Sequence, residues 1–212
     1  MRLLTPSPQK QLSARQISSA AENIAAAQFA MYGFDVLEQG NRARYFYDLG
    51  VANAGGMLKV TVHGSFRGFW KLVDPSVNKS PSTPAAYHKA IDRWIERQGG
   101  RVTYCLVQFD SSDLTSMPRI YLATAAEIAA RLHQSVEMLG DTALYEQFEV
   151  EDASGRHTVE TLPAHWRFSQ SRIAELMEAP EGKNALEFRF SDAAACAVAQ
   201  PAVRVDCLPM VN

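Results

Sequence analysis

The chain has 212 residues, 47% hydrophobic and 21% charged, enough apolar side chain to close one core and too little charge for a disordered chain. No stretch approaches the ~20 apolar residues that span a bilayer, and none near the N-terminus has a signal peptide's apolar run, so a cytoplasmic protein without a membrane partner is expected. The net charge of −2 conceals an asymmetry: residues 40–104 carry ten Lys or Arg against four Asp or Glu, and residues 135–212 carry six against thirteen.

The first element is a helix from Ser13 to Tyr32, free of proline and closed by Gly33 where a left-handed C-cap belongs. Between Arg15 and Asp35 its one charged residue is Glu22, amid Ser18, Ala25, Ala26 and Phe29 at helical spacing. A helix this apolar around its circumference packs on most sides, and an acid within it needs a cation, a donor or a metal. Three strand-like runs follow, Phe34 to Leu37, Ala43 to Val51 and Met57 to His63, punctuated by Gln39-Gly40-Asn41 and by Asn53 to Gly56. They read as a β-meander.

A Ser/Pro/Asn-rich loop from Asp74 to Ser82 leads to Thr83 as N-cap, Pro84 at the first helical position and an apolar stripe of Tyr87, Ile91, Trp94 and Ile95. His88 on this helix reads as a surface residue. Val102 to Phe109 is nearly continuously apolar, as in a strand covered on both faces, and Arg119 to Ala123 is its shorter neighbour. Thr124 and Glu127 make a capping box opening a helix through about Gln134. Beyond Gly140 come a strand from Ala143 to Val150, a turn at Ser154-Gly155 and a helix from Ser169 to Glu178 stopped by Pro180. Cys105, Cys196 and Cys207 are odd in number and show no C-x-x-C spacing, so neither a disulfide nor zinc is expected of them.

Alternation along Lys59-Val60-Thr61-Val62-His63 puts the two valines on one face and Lys59, Thr61 and His63 on the other. Pairing through the Gly55-Gly56 turn lets Asp48 join that polar side. A carboxylate beside Lys, Thr and His on adjacent strands is a candidate site. Gly64-Ser65-Phe66-Arg67-Gly68-Phe69-Trp70 follows with basic and aromatic residues interleaved, suited to phosphate contact and base stacking, or else to capping the sheet edge. Arg42, Arg44, Lys71 and Lys79 lie in the same basic segment and could track a nucleic-acid backbone.

A helix with Glu22 and Gly33 at its end, then Tyr47-Asp48-Leu49, a Gly turn and Val60-Thr61-Val62-His63-Gly64-Ser65 resembles the PD-(D/E)XK, or restriction-endonuclease-like, nuclease superfamily. The nearest likeness is to its Holliday-junction-resolvase-like and intron-endonuclease-like members. It covers about residues 13 to 110. The resemblance implies an α/β fold with an αβββαβ core, a mixed central sheet flanked by helices, and a C-terminal β-α extension. The core would occupy residues 1–140, with residues 141–212 packed on the same domain.

In that superfamily an Asp on the second strand and a Glu or Gln two residues before a Lys on the third serve a Mg²⁺ site, for which Mn²⁺ substitutes. Often an acid on the first helix joins them. Carried over, Asp48 and Glu22 are the metal ligands, Thr61 stands where the Glu or Gln is expected, and His63 stands where the Lys is. Lys59, on the same face, could swing toward the site as a migrated lysine, or it is a solvated strand residue.

Thr61 offers magnesium only a neutral oxygen, and His63 lacks the fixed charge of a lysine. Two functions follow from the resemblance: Mg²⁺-dependent hydrolysis of DNA phosphodiesters, or a catalytically inactive nuclease fold binding nucleic acid or a protein partner. The nucleic-acid contacts would be Arg42, Arg44, Arg67, Trp70 and Lys71, and relatives that act as dimers extend the expectation to a homodimer. An interaction module using the acidic C-terminal third is a further reading.

Overall fold

The computed structural model describes residues 12–39, 47–74, 83–98, 102–111, 116–151, 155 and 157–178. Helix α1 spans Ala14–Met31, and Ser13 caps it in a reciprocal box: Gln16 N donates to Ser13 Oγ and Ser13 N donates to Gln16 Oε1. Gly33 takes φ +85°, a left-handed conformation that turns the chain into β1, Asp35–Glu38. Strands β2 (Leu49–Asn53) and β3 (Gly56–Ser65) complete an antiparallel meander; β2 runs past the expected Val51 to Asn53, and residues 40–46, with the first expected turn and the start of the strand expected from Ala43, lie outside the described residues.

After β4 (Phe69–Trp70), helix α2 runs over Pro84–Arg97 from its Thr83 cap and delivers the chain to β5, Val102–Gln108, parallel to β3. Strand β6 (Arg119–Thr124) pairs antiparallel with β5, giving a mixed five-stranded sheet in the order β1-β2-β3-β5-β6. Helix α3, Ala125–Leu139, starts on the Thr124–Glu127 capping box and runs past Gln134 to the left-handed Gly140. The run expected as one strand from Ala143 breaks into β7 (Leu144–Tyr145), paired with β4, and β8 (Gln147–Glu151), which forms a hairpin with β9 (His157–Thr161). A 3-10 turn at Ala164–Trp166 precedes α4, Gln170–Glu178.

The sheet separates two cores. Ala21, Ala25 and Phe29 of α1 and Ile173 and Leu176 of α4 pack on Val60, Val62, Cys105, Val107 and Leu122. Ile91 and Trp94 of α2 and Ile128 and Leu132 of α3 pack on Tyr104, Leu106, Tyr121 and Ala123, with Trp70, Leu144 and Trp166. Each fully buried Leu, Ile or Phe contributes ~1.5–3 kcal/mol through removal from water, so β5, apolar toward both cores, is the axis of the fold. Residues 144–176 feed both cores. Among the described residues no helix is long and apolar enough to cross a membrane.

Gly64 governs how closely α1 seats. A β-carbon at that position would meet Ala21 Cβ at 2.8 Å and both Ile17 Cγ2 and Ile17 O at 3.0 Å. The bare backbone of β3 is what lets the first helix approach.

Candidate functional site

Asp48 stands immediately before β2, where the β2–β3 ladder ends at the Leu49 and Val60 pair. Its backbone is held from both sides: Asp48 N donates to Val60 O at 2.9 Å, and its carbonyl accepts from Gln39 N at 2.9 Å. The Asp48–Val60 bond is one residue out of the ladder's register. The side chain therefore takes the next donor on β3, with Asp48 Oδ2 accepting from Val62 N at 2.8 Å and from Thr61 Oγ1 at 3.1 Å. Asp48 and Thr61 are thus brought together, as pairing of the two strands allowed.

The remaining sequence-derived candidates lie as follows. His63 projects to the α2 side, where its ring lies over Tyr104 with centroids 5.6 Å apart and planes within 12°. Lys59 is exposed, with Nζ 5.8 Å from the centroid of the Tyr47 ring. Glu22 is half-buried and accepts from Ser18 Oγ at 2.9 Å on its own helix. That helix covers the Val60 and Val62 face, whereas Thr61, paired with Tyr104, shares the other face with His63.

Asp48 lies in the plane of the sheet at the end of the β2–β3 ladder, and Glu22 lies on the helix that covers one face of it. Around Asp48 the third strand supplies a neutral hydroxyl where the resemblance expects a second anion. One carboxylate oxygen is engaged by two donors, and the position expected to add a second anion supplies a hydroxyl whose proton points at the first. Among the described residues no three His, Cys, Asp or Glu side chains converge as a metal-ligand set.

Of the residues expected from the sequence to contact nucleic acid, Arg67 and Lys71 are exposed, with Lys71 Nζ 5.9 Å from the Phe69 ring centroid. Trp70 is a correction: it is buried, its Nε1 donates to His63 O at 3.0 Å, and its ring meets Tyr121 edge-on. The indole is a core ring and cannot stack on a base. Arg42, Arg44 and Lys79 lie outside the described residues.

A second polar cluster had no place in the sequence reading. Arg119 clamps the buried Glu146 with two bonds, Nε to Oε1 at 2.6 Å and Nη2 to Oε2 at 2.8 Å, and reaches Asp110 Oδ2 with Nη1 at 2.6 Å. Tyr121 OH donates to Glu146 Oε1 at 2.7 Å, and the Arg167 guanidinium lies over the Tyr121 ring. Burial, and after it the bond to Glu146, push the Tyr121 phenol up to about 12. These groups border an open cleft of about 780 Å³ that also includes Leu162. With Arg119 satisfied by two acids and Glu146 by two donors, the cluster is a closed network that ties β6 to the β7–β8 bend. Its only signal in the sequence is Glu146 itself, an acid that follows the apolar Ala143, Leu144 and Tyr145.

The chain matches no family model, no curated protein and no solved structure.

Proposed function

We propose that this chain is a nuclease-like protein of restriction-endonuclease-like ancestry that binds nucleic acid and does not hydrolyse it. The ancestry is supported by the order of elements: a helix, an antiparallel three-stranded meander, a crossover helix, and a strand returning parallel to the third. The Asp48–Thr61 bond carries the loss of hydrolysis, because a hard divalent cation needs anionic or carbonyl oxygens free to turn toward it. A threonine donating to the aspartate spends that oxygen on the fold. His63, stacked on Tyr104, has traded a lysine's charge for a ring contact.

Nucleic-acid binding is supported by the excess of basic residues between 40 and 104 and by exposed Arg67 and Lys71 just past β3. DNA incubated with Mg²⁺ or Mn²⁺ is expected to stay intact while binding weakens steeply with salt. The slope of log affinity against log salt follows about −0.9 per neutralised phosphate on duplex DNA. The Arg67→Ala, Lys71→Ala double variant is expected to make that slope shallower. Metal-dependent cleavage abolished by Asp48→Ala would overturn the loss of hydrolysis, and absence of binding at low salt would overturn the nucleic-acid partner.

A further inference from the structure

Four titratable side chains meet on the seam between α2 and α3. His88 and Asp92 stand one helical turn apart on α2, and His133 and Glu137 one turn apart on α3. Each imidazole is held by the acid of the opposite helix: His88 Nε2 lies 2.7 Å from Glu137 Oε1, and His133 Nε2 lies 3.4 Å from Asp92 Oδ1. The other nitrogens face each other, Nδ1 to Nδ1 at 2.6 Å. The ring planes agree within 16° while the centroids are 4.9 Å apart, so nearly coplanar rings meet edge to edge at their Nδ1 atoms.

An ionised carboxylate only accepts hydrogen bonds, so the 2.7 Å contact with Glu137 is met by a proton on His88 Nε2, and the longer Asp92 contact is compatible with the same tautomer in His133. A neutral ring protonated there presents a lone pair at Nδ1. With both rings in that tautomer, two lone pairs face one another across 2.6 Å, an arrangement that a cation between them stabilises. A transition-metal ion is such a cation. Histidine ligands commonly place their second N–H on a carboxylate, which fixes the tautomer and aims the ring. Here that support is present twice, reciprocally across the helix pair.

We propose that His88 and His133 form a two-imidazole site for a borderline divalent transition-metal ion of the Zn²⁺ and Cu²⁺ class. The ion is bound through both Nδ1 atoms, Glu137 and Asp92 orient the rings, and water completes the coordination. Metal–nitrogen bonds of about 2.0 Å in a tetrahedral shell separate the nitrogens by roughly 3.3 Å, so the rings must part slightly. Both side chains have the room, at 29% and 34% exposure. Imidazole nitrogen favours Cu²⁺ over Zn²⁺ and leaves Mg²⁺ in water. The site is independent of the Asp48 region and of the nuclease-like reading, and it would clamp α2 to α3.

The test is calorimetric titration of the full chain, freed of metal with a chelator. The expected result is one ion per chain at this site, Cu²⁺ tighter than Zn²⁺, and no response to Mg²⁺. His88→Ala and His133→Ala each weaken Zn²⁺ binding at least tenfold, and Glu137→Gln weakens it about 10- to 100-fold. Zn²⁺ binding absent from the parent chain, or unchanged in both histidine variants, overturns the proposal. A second readout needs no variant: the electron paramagnetic resonance spectrum of the Cu²⁺ form should show two coordinated imidazole nitrogens. One or none overturns it equally.

Discussion

Asp48 Oδ2 receives the Thr61 hydroxyl at 3.1 Å, a bond between residues thirteen positions apart that closes the open end of the β2–β3 hairpin. The same oxygen takes Val62 N–H at 2.8 Å, so the carboxylate replaces a ladder bond where the register slips. Asp48→Ala strands both donors and is expected to cost about 1–2 kcal/mol, toward the low end for lost bonds because the site is half-buried. Asp48→Asn keeps an acceptor oxygen and is expected to cost less than half as much. Urea denaturation of the two variants checks the order, and equal losses would contradict it.

Thr61→Glu converts the same pair into two carboxylates on adjacent strands. Like charges at this separation repel, so the variant should melt below the parent in the presence of a chelator. Mg²⁺ or Mn²⁺ held between the acids should restore the loss, because an ion binding only the folded state adds about 2.7 kcal/mol at a hundredfold excess over its Kd. The parent chain is expected to show no such shift. A Mn²⁺-induced rise in the parent's Tm that Asp48→Ala removes would mean that the native donors already hold a cation.

Local pattern carried the sequence reading a long way. The β3 alternation placed Thr61 beside Asp48, and the unbroken apolar run of β5 announced a strand buried on both faces. What escaped depends on distant partners. Strand β4 has two residues and exists only through β7, more than seventy positions later. Strand β9 is polar and almost wholly exposed, so nothing but its pairing with β8 marks it. The bend between β7 and β8 follows from Glu146 turning inward to Arg119 and Tyr121, a contact no window around Glu146 contains. His88, read as surface, is pinned by α3, forty-five residues ahead.

Tyr121 gives the fold an alkaline limit with a defined sign. Its phenol is pushed up to about 12 in the folded state, first by burial and then by Glu146, against about 10 in an unfolded chain. Between those values the unfolded chain has lost a proton that the folded chain retains, so stability falls as pH rises. Its contribution is full below about pH 10 and is lost as pH climbs to about 12. Tyr104, also raised by burial, adds a limb of the same sign. Tyr121→Phe is expected to flatten the decline over that window without abolishing it. Urea midpoints measured against pH, together with phenolate absorbance, check this. An unchanged slope would mean that Tyr121 ionises alike in both states.

Gly64 of β3 lies close against α1, and there the expected effects separate strain from propensity. Gly64→Ala forces a β-carbon toward Ala21 Cβ at 2.8 Å and Ile17 O at 3.0 Å. Because helix backbone cannot turn aside like the end of a flexible side chain, α1 must lift from the sheet, at an expected cost of about 1–3 kcal/mol. Ala21→Gly removes the nearer obstacle and by itself costs about 1 kcal/mol of helix propensity. In the double variant the Ile17 carbonyl still blocks the way, so relief is partial. Gly64→Ala should therefore cost less in the Ala21→Gly background than in the parent, a coupling of about 0.5–1 kcal/mol for side chains in contact. Strict additivity in chemical denaturation would show that α1 does not bear on β3 at Gly64.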